Sequence, residues 1–133
     1  MADTVDFELV SPERLLKSEA VEMVVVPGTE GDLGVLPNHS PLIATVRPGV
    51  IDIHEAGKVK ERIFVAGGFC EISPDRCTVL VEEAIPVSEL DRENAEARLQ
   101  AAKQAELDTD DSNRNKAVIE RRAAEAMLAA VSS

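Results

Sequence analysis

The sequence predicts a β-sandwich, in effect a flattened antiparallel barrel, over residues 1–85, followed by an antiparallel two-helix α hairpin over 86–133. Three observations carry this. All seven prolines and all seven glycines lie at or before Pro86, and none after it. The first part has short runs of apolar residues between turn residues, whereas the second is rich in alanine with apolar positions at helical spacing. The charge divides too: residues 1–88 carry 15 acids and 7 bases, and residues 89–133 carry 10 acids and 7 bases. A chain of 133 residues fits one domain, or one with an appendage.

Val5, Phe7 and Leu9 alternate with polar residues until Ser11-Pro12 breaks the run. Val21, Met23 and Val25 alternate likewise, and Val24 and Val26 make that strand apolar on both faces before Pro27-Gly28 ends it. Residues 27–42 read as a rigid Gly/Pro loop. Leu42–Val46 is stopped by Pro48-Gly49, and Val50, Ile51 and Ile53 begin the next strand. Glu55-Ala56-Gly57-Lys58 has hairpin-turn chemistry, and Lys60–Val65 returns. Gly67-Gly68 marks a bulge or bend. Phe69–Ile72 and Cys77–Val81 flank a Ser73-Pro74-Asp75-Arg76 turn. No helical stretch separates these strands, which argues against a parallel βαβ sheet.

In the tail, Ser88-Glu89-Leu90-Asp91 resembles a capping box that opens a helix running to about Glu106. Residues 107–113 form a polar turn with Asp, Ser and Asn as N-cap candidates, and a second helix spans about Arg114 to Ala130. Ala95, Leu99 and Ala102 share one face of the first helix, and Ala117, Ala124, Leu128 and Val131 one face of the second. Such small side chains bury little area, so an isolated hairpin would be marginal and should dock on something or move.

The net charge of −11 and an aromatic content of 2%, with no Trp or Tyr, exclude nucleic-acid binding through a basic field or stacking platforms. The N-terminus has no secretory leader pattern, and no apolar run approaches the roughly 20 residues that span a bilayer. No direct membrane insertion is therefore expected. Cys70 and Cys77 have neither redox nor zinc spacing and sit in apolar runs. Two buried thiols are expected, with a cross-strand disulfide as the other reading.

The densest special segment runs from Pro27 to Leu42. Glu30, Asp32 and His39 there could form a carboxylate–imidazole catalytic site of a small hydrolase, or a metal site. However, G-x-S-x-G is absent and no Gly-Lys-Ser/Thr marks a phosphate loop. His54 has no partner that the pattern can place. A shaped, pre-organised polar loop is also a good docking surface, which is the favoured reading. A generic acidic adaptor is the remaining alternative.

V-P-G-T-E-G-D-L-G-V-L-P-N-H-S-P-L (26–42), R-P-G-V-I (47–51) and F-V-A-G-G-F-C-E-I (64–72) resemble the signature runs of the epsilon-subunit family of bacterial F-type ATP synthase, called delta in mitochondria. The resemblance covers the whole chain. It implies a non-catalytic central-stalk subunit whose sandwich packs on gamma and rests on the c-subunit ring, coupling proton-driven rotation to ATP synthesis. The family's ring-contacting loop maps onto Glu30, Gly31, Asp32 and His39. It also implies a hairpin that lies folded, or extends into the alpha/beta head and hinders ATP hydrolysis. The implied location is the cytoplasmic face of the bacterial inner membrane. Some members bind ATP through a motif like I/L-D-x-x-R-A plus arginines of the second helix. The motif segment here is Leu90-Asp91-Arg92-Glu93-Asn94-Ala95, so Asp91 matches while Asn94 replaces the motif arginine; Arg98, Arg121 and Arg122 could still supply positive charge. An amide cannot supply the charged fork that phosphate favours. The expectation is therefore weak or absent nucleotide binding, no metal and no cofactor, with Arg98, Arg121 and Arg122 paired to neighbouring Glu at helical spacing or lying in water.

Overall fold

A computed structural model describes residues 4–132. Residues 1–3, on which the leader reading bears, and residue 133 lie outside them. The strands are β1 (Val5–Val10), β2 (Leu15–Val21), β3 (Met23–Gly28), β4 (Gly31–Val35), β5 (Leu42–Val46), β6 (Gly49–Glu55), β7 (Lys58–Val65), β8 (Gly68–Ile72), β9 (Arg76–Val81) and β10 (Ala84–Pro86). Two helices follow, α1 (Arg92–Asp108) and α2 (Asp111–Ser132).

The strands form one curled sheet in the order β10-β7-β6-β3-β5-β8-β9-β1-β2, with β4 on β3. Neighbours are antiparallel except β1 and β9, which run parallel. That pairing needs a long crossover, and the strands from β2 to β8 supply it. Alternate residues point inward: Val5, Phe7 and Leu9 of β1 meet Val24 and Val26 of β3, Ile51 and Ile53 of β6, and Val79 of β9 in one core. The open seam between β2 and β7 is bridged by charge, with Lys17 Nζ 2.7 Å from Glu61 and Lys60 Nζ 3.3 Å from Glu19. The Glu61 hydrogen bond outweighs desolvation and raises the Lys17 pKa.

Two strands escape the sequence reading. β2 is an edge strand with a weak apolar pattern. β4 occupies Gly31–Val35, within the segment read as a loop. Pro27 does not end β3; it pairs with Asp32, and its carbonyl accepts the Arg47 N–H at 2.8 Å. Other turns match. Ala56 and Gly57 take φ of 55° and 75° in the β6–β7 hairpin, and Ser73 and Arg76 exchange backbone hydrogen bonds. At Gly68 a Cβ would overlap the Leu80 carbonyl, so only glycine lets β8 approach β9 this closely. Cys70 and Cys77 are buried free thiols. Burial pushes the Cys77 thiol up to about 12.

The α1 cap is Asp91, whose side chain accepts the Glu93 N–H, and not Ser88. Val87–Glu89 instead form a 3-10 turn, and Leu90 is extended and packs beneath the hairpin. The link to α2 is only Thr109-Asp110, and Asp110 accepts the Asn113 N–H at 3.2 Å, so α2 begins three residues earlier than expected. Its buried face is Ala117, Ala123, Ala124, Met127 and Ala130; Leu128 and Val131 are only partly buried. The hairpin lies folded on the sheet. Phe64 points away from the sandwich core into a second cluster with Ala95 and Met127, flanked by Leu90 and Ile85. Arg98 of α1 grips Glu83 with two hydrogen bonds of 2.8 and 2.9 Å.

Candidate docking surfaces

β3 and β4 form a hairpin whose register pairs Pro27 with Asp32 and Gly28 with Gly31, leaving Thr29-Glu30 as its tip. Gly31 has φ of 132°, and a Cβ on Gly28 would come within 2.6 Å of the Gly31 carbonyl, so the tight turn needs both glycines. The tip is tied to neighbouring backbone. Thr29 N–H donates to the Thr45 carbonyl at 2.9 Å, and Arg47 Nη1 donates to the Gly28 carbonyl at 2.7 Å. Arg47 Nη2 donates to Asp32 Oδ1 at 2.7 Å. Between the tip and Leu42–Thr45 of β5 lies a cleft of about 410 Å3.

Glu30, Gly31 and Asp32 share this tip and line the cleft; His39 does not line it. Its loop is pinned elsewhere: Asn38 N–H donates to the Pro74 carbonyl at 2.6 Å, and His39 Nδ1–H donates to the Ser40 carbonyl at 2.6 Å. Among the described residues no three His, Cys, Asp or Glu side chains gather as a metal site. Glu30 and Asp32 thus share a cleft whose lining does not include His39.

The four candidate nucleotide residues are differently engaged. Asp91 caps α1. Arg98 holds Glu83, and that hydrogen bond raises its pKa further. Arg121 donates to Glu106 across the hairpin at 2.6 Å and to Glu125 at 3.0 Å. Helical spacing accounts only for the Glu125 partner; Glu83 and Glu106 come from other elements. Arg122 is exposed at the rim of a second cleft, and Asn94 is exposed.

A further surface was missed by the sequence reading. Cross-strand register sets Phe69, Leu80, Val10 and Leu15 side by side on the outer face of β8, β9, β1 and β2. Phe69 is 59% exposed and Leu80 45%, and Ile43 on the adjoining β5 is 72% exposed. With Pro12, Pro48 and Ile119, Phe69 and Leu80 line a mostly apolar cleft of about 490 Å3. The signal was present in the alternation: Cys70 and Val79 point inward, so Phe69 and Leu80 must point outward. A contiguous apolar patch of this kind on a highly charged chain marks an interaction site.

Comparison with known proteins is consistent along the whole chain. Residues 4–87 match the family model described as ATP synthase, Delta/Epsilon chain, beta-sandwich domain. The ATP synthase epsilon chain of Paramagnetospirillum magneticum is 61% identical over 133 residues, covering 98% of this chain and 99% of the relative. The epsilon chain of Rhodospirillum rubrum is 57% identical over 134 residues, with 98% of both chains covered. Among solved structures, a chain of the Euglena gracilis mitochondrial ATP synthase superposes with a TM-score of 0.82 at 24% identity, covering 98% of this chain and 83% of that one. A chain of the Tetrahymena thermophila mitochondrial ATP synthase central stalk and c-ring gives 0.65 at 17% identity, covering 96% of each. At these identities the two structures speak for the fold.

Proposed function

Because this chain belongs to the ATP synthase delta/epsilon family, we propose that it is the non-catalytic epsilon subunit of a bacterial ATP synthase central stalk. In this reading residues 1–85 are the docking unit and 86–133 the unit able to change place. The sandwich binds gamma, the β3–β4 tip with Glu30, Gly31 and Asp32 meets the c-ring, and the hairpin reaches the alpha/beta head when extended. His39, on the loop after β4, is proposed as a further contact of the same partner. The subunit works at the cytoplasmic face of the bacterial inner membrane through its partners; among the described residues no helix is long and apolar enough to cross a membrane.

The observation that carries this reading is the exposed apolar row of Phe69, Leu80 and Leu15. Water-facing groups of this size favour burial under a partner by about 25 cal/mol per Å2. The charged tip and the apolar row would serve different partners, one polar and one apolar. Tight nucleotide binding is not part of the reading. In support, Arg98 and Arg121 are committed to carboxylates, and Asn94 has no charge to offer. The test is co-purification with gamma. The native chain should form a stable one-to-one pair, and Phe69→Ser with Leu80→Ser should abolish it while leaving the isolated fold intact. Undiminished pairing by a folded double variant would reject the assigned surface. Micromolar or tighter ATP affinity in calorimetry would reject the nucleotide part.

A further inference from the structure

The cleft beside Phe69 and Leu80 is not built by the β body alone. Its lining takes Val46, Phe69 and Leu80 from β5, β8 and β9, and Ile119 and Arg122 from α2. Ile119 and Arg122 are three residues apart on the helix and therefore share one flank. That flank is not the seam by which α2 docks, which buries Ala117, Ala123, Ala124, Met127 and Ala130. Ile119 is 53% exposed. A branched apolar side chain left half in water beside Phe69 and Leu80 carries the apolar row across the boundary from the body onto the hairpin.

The lining has one base, Arg122, and one acid, Glu82, both exposed. Arg98, Arg114 and Arg121 of the hairpin each hold a carboxylate. Among the described residues Arg122 holds none. In a chain of net charge −11, a guanidinium that no internal carboxylate has taken is available to one from outside. The cleft thus fits a segment with an apolar side chain for its floor and an acid beside it for Arg122.

We propose that α2, in its folded position, is the second wall of the gamma-binding surface: an apolar side chain of gamma seats between Phe69, Leu80 and Ile119, and an adjacent acid pairs with Arg122. This rests on the reading above that the Phe69–Leu80 row binds gamma. A linkage follows. When the hairpin detaches, Ile119 and Arg122 leave with it and the cleft keeps only its body wall. Gamma therefore binds the folded form more tightly, and bound gamma holds the hairpin down by the same factor.

The full chain is titrated with gamma, and amide hydrogen exchange is followed in the free chain and in the pair. In the native chain gamma should raise protection across 92–132. Ile119→Ser should weaken gamma binding by about 3- to 10-fold, since half of an isoleucine side chain remains to be buried. It should shrink the gamma-induced gain in protection by the same factor, as reciprocity requires. Arg122→Glu should weaken binding by about 3- to 10-fold at low salt and by less at high salt. If a variant loosens the free hairpin, the ratio of bound to free protection still isolates the effect of gamma. The proposal is overturned if both variants bind gamma as the native chain does, or if gamma leaves protection across 92–132 unchanged or lowers it. Tighter binding by Arg122→Glu would overturn the acidic partner group. Self-association of the free chain that Ile119→Ser abolishes would give the cleft to a second copy and overturn the proposal as well. Failure of the underlying reading looks different: Phe69→Ser with Leu80→Ser would then leave pairing with gamma intact.

Discussion

Replacing Met127 by alanine should detach the helical hairpin and leave the β body folded. The buried positions of α1 and α2 are nearly all alanine; Leu99 and Met127 are the larger ones. Met127 is 1% exposed and packs with Phe64 of β7 and Ala95 of α1, where the hairpin meets the sheet. Truncating a buried methionine costs about 2–5 kcal/mol, and a helix–sheet seam can partly collapse, so about 2–3 kcal/mol applies here. The Arg98–Glu83 pair is a further tie, with side chains 39% and 34% exposed. At that exposure it contributes no more than about 1 kcal/mol. Burial should therefore hold the hairpin down more than charge does. A loss of 2–3 kcal/mol raises the detached population roughly 30- to 150-fold. Amide hydrogen exchange reads this directly. Met127→Ala should lower protection across 92–132 by that factor while β3 and β9 keep theirs; Arg98→Met should lower it by less than about 5-fold. Equal loss of protection in the β body would show that body and hairpin are one cooperative unit. An Arg98→Met effect as large as that of Met127→Ala would show that charge, not burial, holds the hairpin.

Two further outcomes follow from the core. Gly68→Ala should destabilise the body by about 2–3 kcal/mol in urea unfolding, because the added Cβ overlaps the Leu80 carbonyl and β8 must move off β9; an unchanged midpoint would mean the strands separate freely. The Cys77 thiol ionises at about 12 when folded against an ordinary value of 9.0. The unfolded chain therefore loses this proton first as pH rises. The thiol's contribution is whole below pH 9 and is lost toward pH 12, by up to about 1.4 kcal/mol per unit. Burial raises the Cys70 pKa too and acts in the same direction. Unfolding measured from pH 8 to 11 should show this slope, and Cys77→Ala should flatten it; an equal slope in the variant would assign the pH sensitivity elsewhere.

The turns were readable because their chemistry is local. Glu55-Ala56-Gly57-Lys58, Ser73–Arg76 and Gly67-Gly68 each carry the residues their backbone requires. Strands with one clean inward face, such as β1 and β9, were readable for the same reason. β2 and β4 were not. Each pairs along one edge only, and their faces carry Lys17, Glu19, Gly31, Asp32 and Gly34 instead of an alternating apolar set. The helix cap shifted from Ser88 to Asp91 because Leu90 has a tertiary seat beside Phe64, which local capping preference does not register. Glu30 could be placed on an exposed loop from sequence, but the pairing of Asp32 with Arg47 could not, since those residues are 15 apart along the chain.

By itself the sequence determined the division into a β body and an alanine-rich hairpin, and the motif runs that mark the family. Periodicity and turn chemistry act over a few residues and need no knowledge of the rest. The tertiary structure alone decided which charges are used up and which remain available. It joined Arg98 to Glu83, Arg121 to Glu106 and Arg47 to Asp32, and left Glu30 and Arg122 facing water. Long-range ion pairs depend on where the closed chain brings distant residues, and no local pattern encodes that distance.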